Sequence, residues 1–153
     1  MSARLEPDQR ALLEEARRAT LATIGPDGLP RLFPCCFALL DRPDGPLLVT
    51  PIDEKPKRTS DPRTLARVTD IERDGRVTLL ADRWDEDWSR LAWLRVTGTA
   101  DVLWPSDARE AHAEAAVALR HRYRQYRAHI LESLPMIRIT PTRISGWEAA
   151  RSS

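Results

Sequence analysis

From Leu91 to Leu103 the chain alternates with a period of two. Ala92, Leu94, Val96, Gly98, Ala100 and Val102 share one face, and Trp93, Arg95, Thr97, Thr99 and Asp101 share the other. A run this long and regular is a strand between two different environments, so it requires a sheet with one apolar and one polar side. Shorter β-prone segments surround it. Ala19–Ile24 and Leu29–Leu40 flank Gly25-Pro26-Asp27-Gly28, whose glycines and proline suit a tight reversal, and together they predict a β-hairpin. A second turn, Asp41 to Pro46, leads into a third strand at Leu47–Pro51. Val77–Ala81 reads as a short buried strand, and a last strand is expected over Met136–Thr140, resuming near Ile144. Helical spacing appears at Pro7–Arg18, where Leu12, Leu13 and Ala16 share a side, and at Arg63–Arg73, where Leu65, Val68 and Ile71 do, with Asp61 as cap and Gly75 as stop. The longest helix is expected from Ser106 to about Leu131. Five or six strands with helices at the start, after the third strand and before the last do not alternate as repeated β-α-β units would. The pattern predicts an antiparallel β-barrel with peripheral helices. At 153 residues the chain fits one domain, residues 1–153, able to bury about two-thirds of its unfolded surface.

Positive charge is distributed unevenly. Of 24 basic residues only two are lysine, Lys55 and Lys57, and both lie in Asp53-Glu54-Lys55-Pro56-Lys57-Arg58, just past the third strand. An ammonium is a compact charge on a flexible stem, and an adjacent guanidinium adds a planar fork, so Lys55, Lys57 and Arg58 form a candidate phosphate clamp. The positive end of the helix expected from Arg63 would lie nearby and favour the same anion. The alternative is a solvated charged turn. A net charge of +1 gives no global field to draw the protein onto nucleic acid or an anionic membrane, so an anion site must be local. The apolar run Leu32–Leu40 is interrupted by Pro34 and falls short of the roughly 20 residues a membrane-spanning helix needs. An N-terminus without a signal-like apolar core, and cysteines that are sequence neighbours, fit a reducing cytoplasm.

Other chemistry-bearing residues compete for attention. Cys35 and Cys36 would point to opposite faces of a strand, so they suit neither one zinc ion nor an ordinary disulfide and read as small buried side chains. His112, His121 and His129 do not share a helix side, and no metal site follows. Arg95 lies mid-strand beside Trp93, either holding an anionic group or paired with Asp101, Asp82 or another chain. Arg120-His-Arg-Tyr-Arg-Gln-Tyr-Arg127 interleaves arginine and tyrosine as an RNA-gripping surface would. Leu119, Tyr123, Tyr126 and Ile130 also recur at three- and four-residue steps, which favours a buried stripe with the arginines in solvent.

Motif order adds a resemblance. The hairpin Ala19-Thr-Leu-Ala-Thr-Ile24, Asp27-Gly-Leu-Pro30 and Pro34-Cys-Cys-Phe37, followed by Leu47-Leu-Val-Thr-Pro51 and the lysine segment, resembles the pyridoxamine-phosphate-oxidase-like split-barrel family across nearly the whole chain. Asp53 to Arg58, Arg73 to Asp82, Asp87-Trp-Ser89 with Trp93 to Gly98, and Ile144-Ser-Gly-Trp147 resemble its branch of enzymes expected to use the deazaflavin coenzyme F420. This resemblance implies a homodimer of six-stranded split barrels with flavin-type cofactors between the subunits. It also implies a phosphate held by Lys55, Lys57 and Arg58, and a ring lying along Pro34, Cys35, Cys36 and Phe37 and along Thr50, Pro51 and Ile52. Trp88, from the partner chain, would approach the ring, and Trp84 and Trp88 would either roof it or fill the dimer interface. The arginine and histidine pattern that holds vitamin B6 in true pyridoxamine-phosphate oxidases is not found. The implied activity is hydride transfer between F420 and a small organic substrate, for which the cofactor carries the chemistry and no catalytic side chain is required. FMN as the cofactor, or a non-catalytic carrier of a flavin, deazaflavin or haem, are the alternatives.

Overall fold

In a computed structural model the described residues are 3–52 and 65–149. Helix α1 (Pro7–Glu15) precedes strands β1 (Ala19–Ile24), β2 (Pro30–Cys35), β3 (Ala38–Leu40) and β4 (Leu47–Pro51). Then come α2 (Ala66–Arg73), β5 (Arg76–Arg83), β6 (Ala92–Leu103), α3 (Arg109–Arg122) and β7 (Met136–Glu148). The strands form one antiparallel seven-stranded sheet in the order β2-β1-β5-β6-β7-β4-β3. β2 and β3 are thus the two opposite edges, although only Cys36 and Phe37 separate them in the chain. A flat sheet would hold those edges roughly 29 Å apart, at about 4.8 Å per strand. Three trans peptide steps reach at most about 11 Å. The sheet therefore has to curl until its edges nearly meet, and the result is an open, split β-barrel.

This crossing accounts for one departure from the sequence-based expectation. Leu29–Leu40 was expected as a single strand and is two, giving seven strands where six were expected. The apolar run hides the break because the Phe37 N–H leaves the sheet and donates to the Tyr123 hydroxyl at 3.1 Å. β6 keeps the anticipated alternation, with Ala92, Leu94 and Val96 buried and Arg95, Thr99 and Asp101 exposed. The last strand is one piece, not two, because a bulge opposite Thr97 and Gly98 lets the ladder continue through Pro141. Gly98 is needed there, since a Cβ would lie 2.2 Å from the Thr140 carbonyl oxygen. The hairpin turn uses its glycine as expected, Gly28 taking φ 82°.

The helices are shorter than their apolar spacing predicts. α1 stops at Glu15 and not Arg18, and α2 has Leu65 at its N-cap with no side-chain cap, while Asp61, the expected cap, lies outside the described residues. α3 ends at Arg122, and Tyr123 is extended (φ −121°, ψ 115°) ahead of a 3₁₀ turn at Arg124–Arg127. The Arg120 side chain holds that shortened end, donating to the carbonyls of Tyr126 (3.0 Å) and His129 (2.9 Å) and pairing with Glu132. The apolar stripe closes at Tyr126, and Ile130 is 59% exposed. The main core packs Leu21, Phe37, Leu48, Leu79, Leu94, Ile137 and Ile139 against Leu13 of α1 and Val68 and Ile71 of α2. A second cluster joins Val49, Leu103 and Met136 to Ala115, Leu119, Tyr123 and Tyr126 beneath α3. Adjacent β4 residues enter different clusters, so this strand is covered on both faces.

One charge lies inside this packing. Asp70 of α2 is 0% exposed and accepts from the Thr23 hydroxyl (2.8 Å), Arg31 (2.9 Å) and Arg73 (3.0 Å), fastening α2 to the β1–β2 hairpin. Burial alone would push this carboxyl up, but the Thr23, Arg73 and Arg31 bonds together outweigh it and hold its pKa below the usual range. A depressed carboxylate adds stability that is present above about pH 4 and lost as pH falls through the folded-state value. Urea unfolding should therefore show Asp70→Ala destabilised by on the order of 3 kcal/mol at pH 7. The difference should shrink as pH drops below about 4, and a difference independent of pH would contradict the assignment.

Candidate functional site

Curling of the sheet places the end of β2 beside the end of β4. The two strands are far apart in sheet order, yet Cys35 comes three residues before Ala38, which pairs with Val49 next to Thr50. The two segments expected to flank a cofactor ring are thus brought together at the closing corner. Their side chains differ in availability. Pro34 is exposed, Cys35 and Cys36 are half-buried, and Phe37, Thr50, Pro51 and Ile52 are buried. Phe37 packs under the Arg122 guanidinium, 4.6 Å from its ring centroid, so it belongs to the core and to the support of the corner. What the corner offers a ligand is the main chain together with Pro34, Cys35 and Cys36.

Charge near this corner comes from a residue that sequence reasoning missed. Arg67, in the first turn of α2, lies 5.9 Å over the Phe33 ring and acts electrostatically on Cys35. It falls off the apolar stripe of α2, and only the docking of that helix on β1 and β6, which carries Arg67 to Phe33, reveals its place. Lys55, Lys57 and Arg58 lie outside the described residues, between Ile52 at the end of β4 and Leu65 at the start of α2. Trp88 sits on a 3₁₀ turn (Trp88–Arg90) after β5 and is 68% exposed, as is Trp84. In sheet order β5 is two strands from β2. The side of the sheet turned from the core carries Leu32, Leu80 and Trp147, which are 67%, 40% and 50% exposed. They share the face turned from the core through the pairings Ala22–Leu32, Thr20–Leu80 and Trp93–Trp147.

Other sequence candidates resolve into structural roles. Arg95 is exposed and stacks at 5.3 Å on Trp93, while Asp101, one of its expected partners, pairs with Arg138 at 2.7 Å. Tyr123 and Tyr126 are buried and meet edge to face at 5.5 Å. Arg122 turns back to cap α1, donating to the carbonyls of Leu13 (2.9 Å), Glu14 (3.3 Å) and Ala16. The rings that an RNA grip would need are therefore inside the protein. His112 is buried against the Leu134 carbonyl at 2.6 Å. A separate cavity of about 130 Å³ lies under α1, where Arg83 pairs with Glu15 and Glu148 beside Trp93 and Trp147.

Burial pushes the Cys35 thiol up to about 11, against the opposing influence of the Thr50 bond and the Arg67 charge. At pH 8 its thiolate is scarce, so alkylation by iodoacetamide should run on the order of 100-fold slower than for a free cysteine. Peptide mass spectrometry of a Cys36→Ser variant isolates this rate, and a free-cysteine rate would contradict the raised thiol pKa.

Several solved structures share this fold. A conserved hypothetical protein of Mycobacterium tuberculosis superposes with a TM-score of 0.72 at 22% identity, over 97% of this chain and 87% of that one. An FAD-binding protein of Mesorhizobium loti gives 0.64 at 18%, over 93% and 94%. An F420 reductase gives 0.59 at 22%, over 89% and 94%. At these identities the likeness establishes the architecture alone. No curated protein is similar enough in sequence to count as a relative. A family model described as pyridoxamine 5'-phosphate oxidase matches residues 5–148, nearly the whole barrel with its helices, and by that match the chain belongs to the pyridoxamine 5'-phosphate oxidase family.

Proposed function

We propose that the protein is an F420-dependent reductase that works as a homodimer and passes hydride to a small organic substrate. The observation carrying this reading is the short crossing that sets Cys35 beside the end of β4, so that the two chain segments the family resemblance assigns to the cofactor ring meet. They meet beside a sheet face bearing Leu32, Leu80 and Trp147, an apolar surface that a second copy would cover. Trp88 of that second copy is the residue proposed to approach the ring. When bound, a deazaflavin supplies two-electron hydride chemistry. The chain's own part is to bind and orient it: the corner's main chain meets the ring edge, buried Phe37 and Ile52 back that main chain, and Lys55, Lys57 and Arg58 neutralise the phosphate.

FMN is the second reading, favoured by the likeness of the fold to an FAD-binding protein. Conversion of vitamin B6 is not part of either reading. His112 is committed to the Leu134 carbonyl and is not available to hold such a substrate.

Fluorescence titration with F420 and with FMN separates the two cofactors. Substituting Lys55→Ala and Lys57→Ala together should weaken the preferred one about 10- to 100-fold, the loss expected for two charge-assisted contacts to a phosphate. Unchanged affinity in the double variant would contradict the phosphate assignment. Turnover of the reduced coenzyme with quinones, nitroaromatics or unsaturated ketones distinguishes a reductase from a carrier, and binding without turnover on any of them would favour the carrier.

A further inference from the structure

The crossing between β2 and β3 depends on one phenol. Tyr123 Oη accepts the Phe37 N–H at 3.1 Å and the Arg122 Nε–H at 3.2 Å, and donates to the Arg17 carbonyl at 3.1 Å. One donated and two accepted bonds use the full capacity of the group. Its ring is 8% exposed, with the Arg17 guanidinium 4.8 Å and the Arg122 guanidinium 5.4 Å from the centroid. Arg17 in turn donates to the Arg122 carbonyl at 2.8 Å. The ends of α1 and α3 and the strand crossing are therefore tied in one knot, with the tyrosine hydroxyl at its centre.

The knot decides which peptide groups of the corner remain free for a ligand. Pro34 and Pro51 carry no N–H. The Phe37 N–H is taken by Tyr123, and the Ile52 N–H faces the Pro135 carbonyl at 3.4 Å. Cys35 stands opposite Ala19 in the β1–β2 ladder, and Thr50 stands opposite Ile137 in the β4–β7 ladder. Cys36 belongs to neither strand, and its N–H has no hydrogen-bond partner among the described residues. On a half-buried residue, an N–H left in this state calls for water or a ligand acceptor.

We propose that Tyr123 is a positioning residue for the cofactor ring: by holding the Phe37 N–H it fixes the crossing and leaves the Cys36 N–H as the main-chain donor to a ring oxygen or nitrogen. This inference rests on the cofactor reading given above. Tyr123 itself does not reach the ring. It acts through the peptide geometry of its neighbours, across 86 residues of sequence.

Amide hydrogen exchange by NMR on the full chain tests it, with and without saturating F420 and with binding followed separately by fluorescence. In the wild type the Phe37 amide should be protected in both states, and the Cys36 amide should slow about 10-fold or more only when F420 is bound. In Tyr123→Phe, which keeps the ring and loses the hydroxyl, Phe37 exchange should rise. F420 affinity should fall about 5- to 10-fold, and the absorption maximum of the bound coenzyme should shift from its wild-type position. A purely structural tyrosine would lower the melting temperature and leave affinity and spectrum unmoved, and that result overturns the proposal. Unchanged Cys36 exchange in wild type that demonstrably binds F420 overturns it as well, and this arm decides alone if Tyr123→Phe does not fold. Absence of any F420 binding by wild type would overturn the functional reading and this inference together.

Discussion

Two residues, Cys36 and Phe37, have to join the opposite edges of a seven-stranded sheet, and most of the architecture follows from that connection. The covalent reach of the chain rules out a flat sheet, so the strands coil until β2 lies against the end of β4. Coiling covers β4 on both faces and leaves one side of β1, β2, β5 and β6 without a cover. It also forces the Phe37 N–H out of the ladder, and a buried donor cannot be left without a partner. Tyr123 supplies the partner, and the arginines around it carry the constraint into α1 and α3. Local sequence, backbone hydrogen bonding and the position of two helices thus become one problem with one solution.

The parts of the fold that depend on short-range pattern were legible in the sequence. The two faces of β6, the glycine turn between β1 and β2 and the bounds of β4 all follow from residue type and spacing. The parts that depend on distant partners were not. Nothing in the run Leu29–Leu40 marks a break at Phe37, because the hydroxyl that stabilises the break lies on Tyr123. The apolar spacing of α3 continues past Arg122, while the helix stops where Arg122 and Tyr123 are drawn towards α1 and the crossing. Asp70 gives no sign in the sequence that it is a buried charge, since its partners come from β1, β2 and α2.

Of the candidate site, the sequence marked the segments, and the structure brings two of them together. Resemblance, not spacing, marked Pro34–Phe37 and Thr50–Ile52 as a pair, and the closed corner shows why such segments meet. Arg67 and Tyr123 escaped notice because one lies off its helix stripe and the other reads as core. In the stretch 120–127 the spacing marked Tyr123 and Tyr126 as buried, as they are, but put the arginines in solvent, whereas Arg120 and Arg122 spend their donors on carbonyls. In this chain, arginine serves largely to end helices and fasten segments. A site assembled from main chain and closure, with few dedicated side chains, suits a cofactor that brings its own reactivity.

The central claim is that the closing corner is where the redox cofactor lies. A crystal structure of the protein soaked with F420 addresses it most directly. The ring should lie along Cys35 and Cys36 and along the end of β4, with an acceptor atom within about 3 Å of the Cys36 nitrogen and a second copy of the chain covering its far side. A ring bound instead in the cavity beneath α1, or held by one subunit away from the corner, would contradict the account.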